Sequence, residues 1–185
     1  MLVIGTGPER KTKPLKLSEP EASVSPILFL DIDGVLLAGR HWREGLARAN
    51  NLYPKDTIHI LNGVCFQTDC RVVVTSTHRK DEDFRKNLRK SGFHGKFHED
   101  WRTPVDEHFV GSTVIGEPCI IAGRTRGSEV AEWLLSHPET CRYAIIDDEA
   151  DYEPNQRAFL IQTAYEIGIT PFLAGKLVSL LSPVL

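Results

Sequence analysis

Three short runs of consecutive apolar residues, Ile27-Leu28-Phe29-Leu30, Val72-Val73-Val74 and Ala144-Ile145-Ile146, constrain this chain more than any other feature. No polar residue interrupts them, so a strand formed by each must be covered on both faces. That is the condition of a parallel sheet sandwiched between helices. Amphipathic stretches stand between the runs: Asp81 to Lys90 has Phe84 and Leu88 four apart, and Ser128 to Leu135 puts Val130, Ala131 and Leu134 on one face. Weaker strands are expected at Phe93–Phe97, Cys119–Ile121 and Phe159–Thr163, and a closing helix from Pro171 to Leu181 that sets Phe172, Leu173 and Leu177 against the sheet. The pattern predicts a three-layer α/β fold without internal repeats.

The apolar runs begin only at residue 27. Before it, Pro8, Pro14, Pro20 and Pro26 alternate with charged residues, which predicts a flexible arm over residues 1–26 and a single folded domain over 27–185. Gly5-Thr6-Gly7 does not make a nucleotide loop, because Pro8 follows where a phosphate-binding helix would start. At 185 residues and 41% hydrophobic composition the chain can bury a core without staples. Its four cysteines, Cys65, Cys70, Cys119 and Cys141, form neither a disulfide framework nor a zinc pattern, and read as buried free thiols in a reducing compartment. With no signal-peptide core and no run of about 20 apolar residues, a cytoplasmic protein without membrane contact is expected. A formal net charge of −3 argues against a generally basic nucleic-acid binder and leaves a local basic face open.

Each of the three apolar runs ends in a polar cluster: Asp31-Ile32-Asp33-Gly34, Thr75-Ser76-Thr77-His78-Arg79 and Asp147-Asp148-Glu149. Taken singly, an acid after a strand is an ordinary cap or turn residue. Parallel strands, however, bring all three clusters to one edge of the sheet, where open α/β folds hold their ligands. In extended chain Asp31 and Asp33 point the same way while Ile32 is buried, and Gly34 then allows a sharp turn. Four aspartates in one crevice would repel one another unless a cation joined them, and hard oxygen ligands select Mg²⁺.

The segment Leu28 to Leu36, with Asp31-Ile32-Asp33-Gly34-Val35 at its centre, resembles the first motif of the haloacid dehalogenase (HAD) superfamily, an apolar strand ending in DxDG. Val72-Val73-Val74-Thr75 resembles the second motif and Ile145-Ile146-Asp147-Asp148 the fourth. Thr75 lies 44 and Asp147 lies 116 residues after Asp31, spacings that suit a member with little or no cap. The likeness spans roughly residues 27–170. More narrowly, Thr75-Ser76-Thr77-His78-Arg79, Arg124 to Val130 with Trp133, Asp147-Asp148 and Gly168-Ile169-Thr170 are similar to the HAD domains associated with bacterial RNA-repair proteins.

The resemblance implies a Rossmann-like sheet and an Mg²⁺-dependent phosphatase. Asp31 would be the nucleophile, forming an aspartyl-phosphate, and Asp33 the general acid and base. Mg²⁺ would be held by Asp31, the Asp33 backbone carbonyl, and Asp147 or Asp148. Thr75, Ser76 and Arg126 would bind phosphate, with Arg126 standing where the superfamily usually has Lys, 21 residues before Asp147. Lys96 and Arg124 are rivals for that place. Val35 stands where many phosphatases have Thr. The substrate implied is phosphorylated, with nucleic-acid ends or nucleotides suggested by the narrower motif set; a small-metabolite phosphatase and a non-catalytic metal- or partner-binding module are the alternatives. His78, Arg79, Lys80, Arg85, Lys86, Arg89 and Lys90, with Trp42-Arg43 and Trp101-Arg102, could rim the crevice and grip a nucleic-acid backbone, or form a solvated face and core respectively.

Overall fold

The computed structural model describes residues 24–45, 52–104 and 124–183. The arm expected over residues 1–26 falls almost wholly outside them, as do the strand expected at Cys119–Ile121 and Cys119 itself. The described elements run β1 (Ile27–Leu30), α1 (Gly39–Arg43), α2 (Lys55–Thr68), β2 (Arg71–Val74), a 3₁₀ turn (Thr77–Lys80), α3 (Phe84–Lys90), β3 (Lys96–Arg102), α4 (Arg126–Ser136), β4 (Tyr143–Asp147), a second 3₁₀ turn (Arg157–Phe159), β5 (Leu160–Gln162) and α5 (Pro171–Leu181). The five strands pair in parallel in the order β3-β2-β1-β4-β5. The chain moves outward from β1 in one direction and then restarts at β4 on the other side, so the topological switch falls between β1 and β4.

Side-chain parity divides the core into two layers. Leu28, Leu30, Val72, Val74, Ala144 and Ile146 face one way and pack with Ile58 and Leu61 of α2, Phe84 and Leu88 of α3, and Leu177 and Leu181 of α5. Ile27, Phe29, Val73 and Ile145 face the other way, onto Val130 and Trp133 of α4 and onto Tyr152. The three central strands are thus covered on both sides, as their unbroken apolar runs require.

Four expectations need correction. β3 spans Lys96–Arg102 rather than Phe93–Phe97: Phe93 is a buried residue of the preceding loop, and the strand itself lies at a sheet edge. Helix α3 starts only at Phe84, because Ser76 caps a separate 3₁₀ turn before it. Phe172 is 71% exposed, since the buried stripe of α5 runs through Ala174, Leu177, Val178 and Leu181. Of the described thiols Cys65 and Cys70 are buried, whereas Cys141 is exposed. No helix among the described residues is long and apolar enough to cross a membrane.

Candidate active site

Backbone hydrogen bonds continue the sheet one residue beyond its strands: Asp31 N–H donates to Ile146 O at 3.0 Å, Thr75 N–H to Leu30 O at 3.0 Å, and Thr163 N–H to Asp147 O at 2.8 Å. Asp31, Thr75 and Asp147 therefore stand abreast at the carboxyl edge, all three buried. After Asp31 the chain coils tightly, with Leu36 and Leu37 N–H both donating to Ile32 O at 2.9 Å. Gly34 makes the coil possible: its φ is +71°, and a Cβ there would lie 2.6 Å from Asp148 Oδ2. The coil is braced from the far side of the sheet, by Thr163 Oγ1 donating to Gly34 O at 2.7 Å and Ile169 N–H donating to Val35 O at 3.0 Å. Gly168 (φ +73°) allows that second contact, while Thr170 caps α5 by accepting from Leu173 N–H at 3.3 Å.

Arg126 is the first residue of α4, and its guanidinium reaches across the crevice. Nη1 donates to Asp31 Oδ1 at 2.6 Å and to Thr75 O at 3.3 Å, while Nε lies 3.6 Å from Asp147 Oδ2. Although burial works against its charge, Asp31 and then Asp147 hold it above the usual arginine range. The rival cations are elsewhere: Lys96 opens β3 and pairs with Asp69 at 2.8 Å, beside the start of β2, and Arg124 pairs with Glu132. Among the three candidates, Arg126 is the one brought to the acids.

The carboxylates sit uneasily together. Burial, reinforced by Asp147, pushes the Asp31 carboxyl up to about 7 despite Arg126. Burial likewise raises Asp147 and Asp148 above the usual carboxylate range. Asp147 is steadied by Tyr152 Oη, which donates to Oδ2 at 2.6 Å, and by Glu149 N–H, which donates to Oδ1 at 2.9 Å. Among the described residues Asp31 Oδ2 has no hydrogen-bond partner, and neither has Thr75 Oγ1. One oxygen each from Asp31, Asp147 and Asp148 lie within 4.8 Å of one another. Three hard, mutually repelling oxygens gathered so closely fit a divalent cation such as Mg²⁺.

Asp33 differs from its neighbours. Its side chain is 42% exposed, at the mouth of the crevice, with His78 Nε2 3.3 Å from Oδ2 and Tyr53 Oη 3.5 Å from the other ring nitrogen. The hydrogen bond to Asp33 raises the His78 pKa. Ser76 is buried, and its hydroxyl accepts from His78 N–H at 3.4 Å, so its lone pair serves the 3₁₀ turn. Sequence reasoning placed His78 in the strand-end cluster after Thr75 and in a basic run without giving it a partner, and missed Tyr53 and Tyr152. The position of His78 three residues after Thr75 was a signal; the two tyrosines had none.

The basic run also divides. Arg79 is buried, donating to Thr75 O, to Pro104 O at 3.2 Å and to Glu129 of α4 at 2.7 Å. It ties the second strand end to the helix carrying Arg126 and is withdrawn from solvent. Arg85, Lys86, Arg89 and Lys90 are exposed on α3. The guanidinium carbons of Arg85 and Arg102 lie 4.9 and 4.2 Å from the Trp101 ring centroid. Trp101 and Trp133 are core residues, whereas Trp42 is partly exposed.

Comparison with curated proteins and with solved structures finds no match. Comparison with protein families finds one, described as the HAD domain in Swiss Army Knife RNA repair proteins, over residues 27–172. The match begins at β1, ends in the first turn of α5, and so takes in every strand and every acid of the crevice. With its parallel sheet and DxDG coil at the switch point, the chain belongs to this HAD family.

Proposed function

We propose that the protein hydrolyses phosphomonoesters with Mg²⁺ through an aspartyl-phosphate on Asp31, and that its substrates are nucleic-acid ends. The observation that carries this reading is the state of Asp31: fully buried, one oxygen fixed by Arg126 at 2.6 Å, the other without a partner among the described residues. A carboxylate that is dry, aimed and half unsatisfied suits attack on phosphorus better than it suits a structural ion pair.

In the first displacement the Asp31 oxygen bonds to phosphorus, the bond to the ester oxygen breaks, and Asp33 gives that oxygen a proton. In the second, Asp33 takes a proton from water as the water oxygen attacks phosphorus, releasing phosphate and restoring the Asp31 carboxylate. Exposure suits Asp33 to this work, since the leaving alcohol and the water both arrive from the mouth. Arg126 and the unpartnered Thr75 hydroxyl would hold the non-reacting phosphate oxygens as charge develops on them. Mg²⁺, when held by Asp31, Asp147 and Asp148 with the Asp33 carbonyl, offsets the repulsion between carboxylate and phosphate. The acid at position 33 argues against a non-catalytic module, which would need only the metal ligands.

Nucleic-acid ends are favoured by the family's association with RNA repair and by the exposed cations of α3 and Arg102. Between β1 and β2 the described residues form α1 and α2, and α2 packs on the sheet. The proposed catalytic unit is residues 27–185, in a cytoplasmic setting. The test is a panel of oligonucleotides bearing 3′ or 5′ phosphates, mononucleotides and sugar phosphates, assayed with Mg²⁺ and with EDTA across a salt series. Oligonucleotide turnover that needs Mg²⁺, weakens with salt and drops in an Arg85, Lys86 and Arg89 to Ala variant is expected. Equal efficiency on mononucleotides without a salt slope would point instead to a small-metabolite phosphatase.

A further inference from the structure

At the opposite end of α4 from Arg126 lies a second cluster of ligating side chains, unconnected with the acids of the crevice. His98 is on β3, His137 caps the C-terminus of α4, and Glu139 follows in the loop to β4. One ligand atom from each lies within 4.8 Å of the others. An 11-residue helix is about 16 Å long, so the cluster is well removed from Asp31. We propose that His98, His137 and Glu139 form a second metal centre, for Zn²⁺ or a similar borderline transition ion.

The His137 ring is prepared for ligation. Its plane lies 14° from that of Trp133 with centroids 3.8 Å apart, and its Nδ1 is 2.8 Å from Trp133 O. A carbonyl can only accept, so Nδ1 carries a proton and Nε2 is the ring nitrogen left facing outward. This is the arrangement by which metal-bound histidines are held in one tautomer. Nε2 meets Asp100 Oδ2 at 3.1 Å, which is another acceptor. Two acceptors at that distance need a cation between them or a proton on the ring. Asp100 is 75% exposed and free to turn toward an ion.

His98 stands edge-on to His137, with centroids 5.0 Å apart. Its Nδ1 accepts from Asp100 N–H at 3.1 Å, a solvent-exposed bond that ligation would exchange for one to water. Two imidazoles and a carboxylate form a three-ligand set with an open fourth position, which suits Zn²⁺ better than Mg²⁺. Arg71 lines the same depression and opposes a cation, whereas Glu99 and Asp100 favour one.

The test is calorimetric titration of the full chain with Zn²⁺ in saturating Mg²⁺, for wild type and a His98→Ala, Glu139→Gln double variant. Because the His98 ring packs edge-on to Trp133, thermal unfolding of the variant is the check that it remains folded. Wild type should bind one equivalent that the variant loses, with wild-type affinity falling as pH drops and the imidazoles protonate. Co²⁺ bound in place of Zn²⁺ should give a tetrahedral absorption spectrum in wild type alone. Absence of Zn²⁺ uptake by wild type would overturn the proposal and leave His137 and Asp100 as a plain ion pair. Retention of the equivalent by the variant would overturn it equally, placing the ion at the acids or the thiols. Either result is independent of turnover with Mg²⁺, so it leaves the phosphatase reading standing.

Discussion

Asp31 is the group whose charge the fold tolerates least, and that intolerance has a measurable size. Its carboxyl is pushed from 3.8 to about 7, by burial first and by Asp147 second. The folded protein therefore holds a proton at pH values where the unfolded chain has lost it. A raised carboxyl pKa contributes stability that is fully present below the unfolded value, erodes as pH rises, and is lost above the folded value. At about 1.4 kcal/mol for each pH unit, the interval from 3.8 to about 7 amounts to roughly 4 kcal/mol, of which about 2–3 kcal/mol falls between about pH 5 and pH 8. Asp31→Asn is neutral throughout. Whatever constant offset the altered Arg126 contact brings, the stability of Asp31→Asn relative to wild type should rise by about 2–3 kcal/mol over that range in EDTA. Urea unfolding of both proteins at the two pH values provides the measurement. Mg²⁺ stabilises the ionised carboxylates of wild type and should shrink the difference. A stability gap that stays constant with pH in EDTA would refute the reasoning, because Asp31 would then titrate as an ordinary exposed carboxylate.

Asp31→Asn should also abolish turnover and phosphoenzyme formation, whereas Asp33→Asn should hurt least with a nitrophenyl ester, whose leaving group needs no proton; radiolabel trapping and steady-state rates separate the two. Arg126→Ala should lower kcat on the order of 10²-fold by removing a donor to the transferring phosphoryl group, with Arg126→Lys recovering part of it. Gly34→Ala should cost about 1–3 kcal/mol in thermal unfolding from backbone strain, and should weaken Mg²⁺ binding because the new methyl displaces Asp148. Arg79→Ala leaves the half-buried Glu129 with only the Thr103 hydroxyl as a donor and should cost about 2–3 kcal/mol, much of it recovered when Glu129 is also made apolar.

The parts of the fold legible in the sequence are those whose burial is uniform. β1, β2 and β4 are covered on both faces, so their residues are apolar without interruption and no periodicity has to be inferred. β3 escapes this logic because edge strands keep one side wet: in Lys96–Arg102 only Trp101 is deeply buried, while Phe93, which looked like the start of a strand, fills the core from a loop. α2 is hard to read from the sequence for a different reason. Its sequence carries Thr57, Ile58, Ile60, Gly63 and Val64, all modest or poor helix formers, and the helix is sustained by packing of Ile58, Leu61, Val64 and Cys65 into the core it shares with α5. The displaced face of α5 was an error of phase. Ala174, Leu177, Val178 and Leu181 define a stripe at helical spacing, and Phe172 stands roughly 170° from its centre.

At the site, legibility follows chain distance. Asp31, Asp33, Thr75, Asp147 and Asp148 could be read because each is tied to a strand end within a few residues, and parallel register brings strand ends together without further information. Arg126 has no strand to announce it; its place depends on α4 crossing behind the sheet and presenting its N-terminus to the crevice, which resemblance to a family could suggest but local chemistry could not. Arg79 shows the same limit from the other side. It lies one position from His78 and six from Arg85 in a stretch that reads as a single basic face. Yet the 3₁₀ turn points Arg79 inward to Glu129, 50 residues on, while α3 turns its cations out to solvent. What decides between those fates is whether a carboxylate from a distant helix arrives beneath the side chain. The cation that charge patterning leaves between a substrate rim and a solvated face instead ties Thr75 to α4, the helix whose first residue, Arg126, meets Asp31.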